Sequence, residues 1–178
     1  MKQGAPGLLI VTHGRLADEL EKAARRIIGD VPKLASISLD WDDDLVDARR
    51  RIEEGIARVA VDGRVLILTD MFGGTPSNVA LSLLEPGRID VVTGVNLPML
   101  IKFANLHAVD GFDETVRRIA QQGRDAIQVA SEVLEKRAGP EDTSGRCTSS
   151  TSRSSTVSAC MRGRRRNSCT WQERSSPE

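Results

Sequence analysis

Four short aliphatic runs, each followed by a segment with helical spacing, constrain the fold of this chain more than any other feature. The runs cover residues 7–12, 34–39, 64–69 and 89–93. Apolar runs of this length are typical of strands that are buried on both faces of a parallel sheet. Because helices separate the strands, right-handed crossovers should place helices on both faces. We therefore predict an α/β fold with an open, doubly wound, mainly parallel sheet in flavodoxin-like order.

Local signals predict where the helices begin and end. Gly29 is placed to end the first helix, and three aspartates at residues 42–44 put negative charge at the start of the second. Thr75 is expected to cap the third helix, with Pro76 at the first helical position. A fourth helix is predicted to start at Asn96. A long last helix is predicted over residues 113–137, with a buried side formed by Val116, Ile119, Ala120, Ile127, Ala130 and Leu134.

The composition changes sharply near Gly139. Residues 139–178 hold ten of the fifteen serines and all three cysteines, but no Leu, Ile or Phe. Such a segment cannot bury enough apolar surface to offset the entropy of ordering. We therefore predict a folded domain over residues 1–138 and a disordered Ser/Arg-rich tail over residues 139–178. The tail composition also suggests the hypothesis of an out-of-frame extension, which resequencing the gene around codon 138 would test.

The overall charge argues against two classes of partner. The chain has 25 Lys and Arg against 25 Asp and Glu, so neither nucleic acid nor an anionic membrane is expected as the main partner. No apolar run approaches the roughly 20 residues that a membrane-spanning helix needs. Residues 1–6 lack the basic and then apolar layout of a signal peptide. The sequence therefore predicts a cytoplasmic protein without direct membrane insertion.

Two residues whose side chains can take part in a reaction follow the first and third predicted strands. His13 follows the first strand and Asp70 follows the third. In flavodoxin-like order these strands are neighbours where the strand order reverses, and ligands bind outside their carboxyl ends. We therefore expect His13 and Asp70 to lie close together, although they are far apart in the sequence.

An imidazole beside a carboxylate suits phosphoryl transfer. Neutral imidazole is a good nucleophile near neutral pH. A carboxylate on its other ring nitrogen fixes the tautomer and stabilises the positive charge that builds on the ring. Transfer between two histidines requires no metal or cofactor, and none is predicted. Donors to the phosphoryl oxygens are expected from hydroxyls and from backbone amides near a helix start, namely Thr12, Gly14, Gly73, Gly74 and Thr75.

Each residue taken alone also has a simpler structural interpretation. A single histidine after a strand is more often a capping or packing residue, and a glycine pair is often only a tight turn. The convergence of these residues on one predicted crevice favours chemistry instead. A receiver domain of two-component signalling is a rival, because its phosphorylated aspartate would also end the third strand. Receivers need an acidic pair after the first strand, and residues 12–14 (THG) occupy that position here.

Three segments carry a family resemblance. They are residues 9–14 (LIVTHG), 69–78 (TDMFGGTPSN) and 94–100 (GVNLPML). In order and spacing they resemble the mannose-type enzyme IIA family of the bacterial phosphoenolpyruvate:sugar phosphotransferase system, abbreviated PTS. The resemblance covers about residues 5–137.

The resemblance implies a phosphocarrier that works as a histidine phosphotransferase. His13 would accept phosphate from the phosphohistidine of the carrier protein HPr and pass it to a IIB component, which serves membrane IIC and IID components in sugar uptake. Asp70 would orient His13, Thr75 would lie by the phosphoryl group, and residues 94–100 would form another wall of the site. Family members are typically homodimers. This chain has no strand-like sequence after the last helix for exchange between subunits, and no linker to a fused IIB domain, so IIB is expected to be a separate chain.

Two other functions fit the same residues. The protein could be a regulatory sensor, in which phosphorylation of His13 controls binding of a partner protein without sugar transport. It could also be the phosphocarrier of a dihydroxyacetone kinase. Neighbouring genes for IIB, IIC and IID components would favour transport over both.

Overall fold

The computed structural model describes residues 5–106 and 111–138, with side chains described up to residue 134. The predicted tail over residues 139–178 lies outside the described residues. Strands and helices alternate through the first eight elements, and two further helices follow. In order they are β1 (Gly7–His13), α1 (Leu16–Ile28), β2 (Leu34–Leu39), α2 (Leu45–Val59), β3 (Val65–Thr69), α3 (Thr75–Leu81), β4 (Ile89–Thr93), α4 (Leu97–Ala104), α5 (Phe112–Asp125) and α6 (Ala130–Ala138).

The four strands form one parallel sheet in the order β2-β1-β3-β4. The chain runs outward from β1 to β2 and then returns to the other side of β1 to form β3. The strand order therefore reverses between β1 and β3. This arrangement confirms the predicted doubly wound, flavodoxin-like fold.

Successive side chains of β1 point to opposite faces of the sheet, and each face has its own helices. Leu8 and Ile10 belong to a core shared with α1, α4 and α5. Leu9 and Val11 belong to a core shared with α2 and α3. All four side chains are fully buried. Burial on both faces explains why the strand sequences are continuously apolar rather than alternating.

Arginines cover the outer edge of β2, which pairs with β1 alone among the strands that the structure describes. Arg25 donates to the carbonyl oxygen of Leu34 at 3.1 Å. Arg51 donates to the carbonyl oxygen of Ser38 at 2.6 Å. Charged side chains on an edge strand satisfy backbone groups that could otherwise pair with another chain.

The predicted helix starts are confirmed at α2 and corrected at α3. Asp44 caps α2, since its carboxylate accepts a hydrogen bond from the amide of Val46 at 3.1 Å. Thr75 does not cap α3 as predicted, because the capping position is Gly74 and Thr75 is the first helical residue. Ser77 supplies the local side-chain bonds instead: its hydroxyl accepts from the amide of Gly73 and donates to the carbonyl of Gly74, both at 3.0 Å.

The single long last helix predicted over residues 113–137 was wrong. The structure has two helices, α5 and α6, separated by residues 126–129. Ile127, Ala130 and Leu134, which were expected to be buried, are exposed. The β-branched Ile127 and Val129 have low helix propensity and find no core to pack against here. Among the described residues, no helix has both the length and the apolar character needed to cross a membrane.

Candidate active site

His13 and Asp70 meet at the carboxyl ends of the two central strands. His13 is the last residue of β1, and Asp70 directly follows β3. The strands are paired with Val11 opposite Thr69, so both chains leave the sheet at the same edge. Asp70 Oδ2 lies 2.7 Å from His13 Nδ1 and also accepts a 2.9 Å hydrogen bond from the His13 amide. The imidazole cannot rotate freely without losing this contact.

The Asp70 carboxylate stays ionised although it is partly enclosed. Its side chain is 16% exposed and that of His13 is 12% exposed. Burial is the largest single influence and would raise the pKa of Asp70. Hydrogen bonds from the backbone and side chain of His13 and from the amide of Met71 outweigh burial, so the pKa lies below its usual value. A negative charge is therefore held at Nδ1, where it favours a proton on that nitrogen and leaves the lone pair of the ring on Nε2.

Gly74 allows the backbone to approach the imidazole closely. A Cβ atom at this position would lie 2.4 Å from His13 Cε1 and 2.9 Å from Nε2. Any larger residue would therefore overlap the ring. The backbone of Gly74 has φ −82° and ψ 168°, which other residues also adopt. The glycine is needed for space at the ring and not for backbone conformation.

Three of the predicted phosphoryl donors already have other partners. The hydroxyl of Thr12 accepts from the amide of Ala17 at 2.7 Å, at the start of α1, and donates to the carbonyl of His13 at 3.4 Å. The amide of Gly14 donates to the carbonyl of Leu39 at 2.7 Å. The amide of Gly73 donates to Ser77 Oγ at 3.0 Å. These groups support the crevice, and their engagement removes them from the set of available donors in this conformation.

The remaining predicted donors, Gly74 and Thr75, lie at the start of α3. Within the described residues, neither amide donates a hydrogen bond, and the Thr75 hydroxyl has no partner. Both residues are partly exposed. Because Thr75 does not act as the helix cap, its hydroxyl is available to a ligand. Gly74 lies against Nε2 of His13, and amides and hydroxyls without partners at a helix start can bind the oxygens of a tetrahedral anion.

Residues 94–100 adjoin the Asp70 side of the crevice. The amide of Gly94 donates to the carbonyls of Thr69 and Asp70 at 2.9 and 3.1 Å. Asn96 then caps α4, since its side chain accepts from the amide of Met99. In residues 5–106 and 111–138, no three potential ligands among His, Cys, Asp and Glu come together as a metal site would require.

Trp41 also lies in the crevice, and sequence reasoning missed it. Its ring stacks on the imidazole of His13 with a centroid separation of 4.6 Å and an interplanar angle of 18°. Trp41 follows β2, whose last residue, Leu39, pairs with His13. The signal in the sequence was therefore topological: β2 is parallel to β1 and must also end at this edge.

Comparisons with known proteins agree on one family. The mannose-type EIIA family, described as "PTS system fructose IIA component", matches residues 7–120. A fructose-specific EIIA component of the PTS from Bacillus subtilis strain 168 is 28% identical over 130 residues, covering 72% of this chain and 89% of that protein. The mannose-specific EIIAB component of Escherichia coli K12 is 27% identical over 135 residues, covering 75% of this chain. The match spans only 42% of the longer E. coli protein.

Solved structures lead to the same family. The mannose/sorbose-specific IIA subunit of the PTS from Enterococcus faecalis is 31% identical and has a TM-score of 0.63, covering 70% of this chain and 93% of that chain. The PTS component EIIA from Streptococcus agalactiae is 25% identical with a TM-score of 0.63, covering 71% of this chain and 98% of that chain. This chain therefore belongs to the mannose-type enzyme IIA family of the phosphotransferase system.

Proposed function

We propose that this protein is a histidine phosphocarrier of a sugar phosphotransferase system and that His13 carries the phosphoryl group. The observation that carries the proposal is the 2.7 Å contact between His13 Nδ1 and Asp70 Oδ2. This contact holds the proton on Nδ1 and directs the lone pair of Nε2 toward the start of α3. Family membership supports a phosphocarrier role in the PTS in general.

The proposed reaction transfers one phosphoryl group between two imidazoles. The lone pair of His13 Nε2 attacks phosphorus in the phosphohistidine of HPr, and the P–N bond of the donor breaks in line. The electron pair of that bond returns to the donor nitrogen, which leaves the HPr imidazole neutral. The His13 ring keeps its Nδ1 proton and becomes cationic, with Asp70 as its counter-ion. The amides of Gly74 and Thr75 and the Thr75 hydroxyl bind the phosphoryl oxygens.

The second half of the proposed cycle passes the group to a IIB component. His13 then becomes the leaving nitrogen, and the neutral imidazole is restored. In this proposal the membrane IIC and IID components receive the phosphoryl group only through the IIB component. The proposed site of action is the cytoplasm.

A labelling experiment tests the phosphorylation of His13. The full chain is incubated with labelled phosphoenolpyruvate, enzyme I and HPr. We expect one phosphate per chain that is labile in acid and stable in base, as for phosphohistidine. His13→Ala should abolish labelling, and His107→Ala is the matched control because His107 is the only other histidine. Full labelling of the His13→Ala variant would overturn the proposal.

We further propose that the protein forms a homodimer through the segment after α5. Ile127, Val129 and Leu134 are 80%, 57% and 65% exposed. Three large aliphatic side chains within eight residues are costly to leave in water, and their burial against a second copy would offset this cost. This route does not require an exchanged strand.

A further inference from the structure

The position of Trp41 is unusual for a large aromatic residue. Its surface is 79% exposed, so its burial adds little to the stability of the core. The aromatic contact that it makes is with the ring of His13, at 4.6 Å between centroids and nearly parallel. One face of the indole therefore covers the reactive imidazole, while the other face is open to solvent.

A hydrogen-bonded turn holds the chain around Trp41. The amide of Asp40 donates to the carboxylate of Asp43 at 2.9 Å, and the amide of Asp43 donates back to the carbonyl of Asp40 at 3.2 Å. Arg51 binds the same Asp43 carboxylate at 2.8 Å. The Asp43 and Arg51 side chains are 22% and 34% exposed, which limits competition from water. The indole is thus carried by a braced loop.

The stack leaves the reactive nitrogen accessible. The lone pair of Nε2 lies in the plane of the imidazole, whereas the indole lies parallel to that plane. Asp70 holds the opposite nitrogen, and Gly74 approaches the Cε1 and Nε2 edge without a side chain. Trp41 therefore contacts the ring through its π face and does not block in-line attack.

We propose that Trp41 is a positioning residue that stabilises the phosphorylated, cationic form of the His13 ring relative to the neutral form. This inference rests on the proposed phosphorylation of His13. In the transfer described above, the ring keeps its Nδ1 proton while it gains the Nε2–P bond, so it becomes positive. Tryptophan binds cations over its face better than any other side chain. An interaction that is stronger with the product than with the reactant shifts the transfer equilibrium toward phospho-His13.

The expected size of the effect follows from the strength of cation–π contacts at exposed sites. Loss of such a contact corresponds to a change of roughly two- to fivefold in the equilibrium constant between phospho-HPr and phospho-His13. A purely docking role predicts a different pattern. If the outer face of Trp41 only binds the partner protein, its loss raises the KM for phospho-HPr and leaves the equilibrium constant unchanged.

The experiment compares Trp41→Ala and Trp41→Phe with the parent chain. The parent and both variants carry Trp171→Phe, because Trp171 is the only other tryptophan. The tryptophan fluorescence of the parent then arises from Trp41 alone. We expect Trp41→Ala to lower the equilibrium constant roughly two- to fivefold and Trp41→Phe to restore most of it. The emission of Trp41 should change when the protein is phosphorylated and return when the phosphate is lost.

Phe72→Ala is the matched control. Phe72 is also an aromatic residue near Asp70 in the sequence and is 72% exposed, but within the described residues it does not stack on His13. Its removal should leave the equilibrium constant unchanged. An equilibrium constant for Trp41→Ala within twofold of the parent, with a raised KM, would overturn the inference.

A second arm separates this inference from the proposed function. Phosphoramidate phosphorylates histidine chemically, with ammonia as the leaving group and no need for HPr. In this arm the loss of phosphate from phospho-His13 is followed over time, and we expect it to be several-fold faster in Trp41→Ala than in the parent. Chemical labelling of His13 without labelling by phospho-HPr would sink the phosphocarrier proposal. The lifetimes would still decide the role of Trp41, since equal lifetimes would overturn it.

Discussion

Two regions of this molecule expose large apolar side chains, and they do so for different structural reasons. The crevice rim, formed by Trp41, Met71 and Phe72, lies on the loops that follow β2 and β3 at the edge of the sheet where His13 ends β1. The terminal segment, formed by residues 127–134, exposes Ile127, Val129 and Leu134. At the rim, Trp41 stacks on the ring of His13, and its loop is braced by Arg51. The comparison shows that exposure alone does not identify a site, and that anchoring of the backbone beneath it is the more informative feature.

The largest effect is expected in the crevice below the rim, at Asp70. Asp70→Asn should lower the rate of phosphoryl transfer to His13 by about 10³-fold, because an amide neither fixes the tautomer nor stabilises the cationic ring. Rapid-quench measurement of labelling from phospho-HPr gives this rate. An unchanged rate would remove Asp70 from the mechanism, and the crevice would then lack a carboxylate that assists His13.

The difference in stability between the parent and Asp70→Asn should depend on pH, in a direction set by the pKa of Asp70. Its pKa is lowered in the folded protein, although burial opposes the shift, because of the hydrogen bonds from His13 and Met71. A carboxylate with a lowered pKa contributes stability that is fully present above its unfolded pKa of about 3.9. This contribution is lost as the pH falls through the folded pKa. The difference in unfolding free energy between the parent and Asp70→Asn should therefore shrink on acidification below about pH 4, as measured by denaturant titration.

A smaller effect on the transfer rate is expected when a side chain is added beside the imidazole of His13. In Gly74→Ala the new methyl group would overlap Cε1 and Nε2 of His13, so the ring must move away from its aligned position. Misplacement by about 1 Å costs on the order of 10²-fold in rate. Gly111→Ala is the matched control, because a Cβ atom there meets nothing within 4 Å and φ is −62°. Equal transfer rates in the two variants would contradict the close approach of Gly74.

The smallest effect is expected on the stability of the monomer when an exposed residue of the terminal segment is replaced. Ile127→Ser should alter the free energy of unfolding of the monomer by no more than about 0.5 kcal/mol, because the side chain is exposed. It should weaken the proposed dimer, which analytical ultracentrifugation measures over a range of concentrations. Gln128→Ser is the adjacent polar control. If Ile127→Ser leaves the dimer unchanged, association through this segment is excluded and the apolar exposure there has another cause.

The sheet and its reversal point were predictable because they depend on simple rules. Continuous apolar runs indicated buried parallel strands, and right-handed crossovers left few possible orders. From those rules alone, the residues following β1 and β3 had to meet. His13 and Asp70 are therefore neighbours for a topological reason that needs no knowledge of their side-chain contacts.

The details that were missed depend on side-chain competition and on local packing. Gly14 and Gly73 were expected to offer amides, but the Leu39 carbonyl and the Ser77 hydroxyl already accept those bonds. Sequence spacing does not reveal which acceptor an amide will choose. The break after α5 was missed because the apolar spacing continued through Ile127, although no core surface lies beneath it. Trp41 was missed because the rule for ligand sites considers only the two strands at the reversal point, and Trp41 follows β2.

The guanidinium of Arg51 joins two properties that are usually considered separately. It binds the Ser38 carbonyl on the open edge of β2 and the Asp43 carboxylate beneath Trp41. Protection of the edge of β2 and bracing of the loop that carries Trp41 therefore depend on one side chain. An attempt to extend this sheet by adding a strand beside β2 would have to displace Arg51 and would loosen the indole over His13 at the same time. Extending the sheet on that side would thus weaken the proposed action of Trp41 on His13.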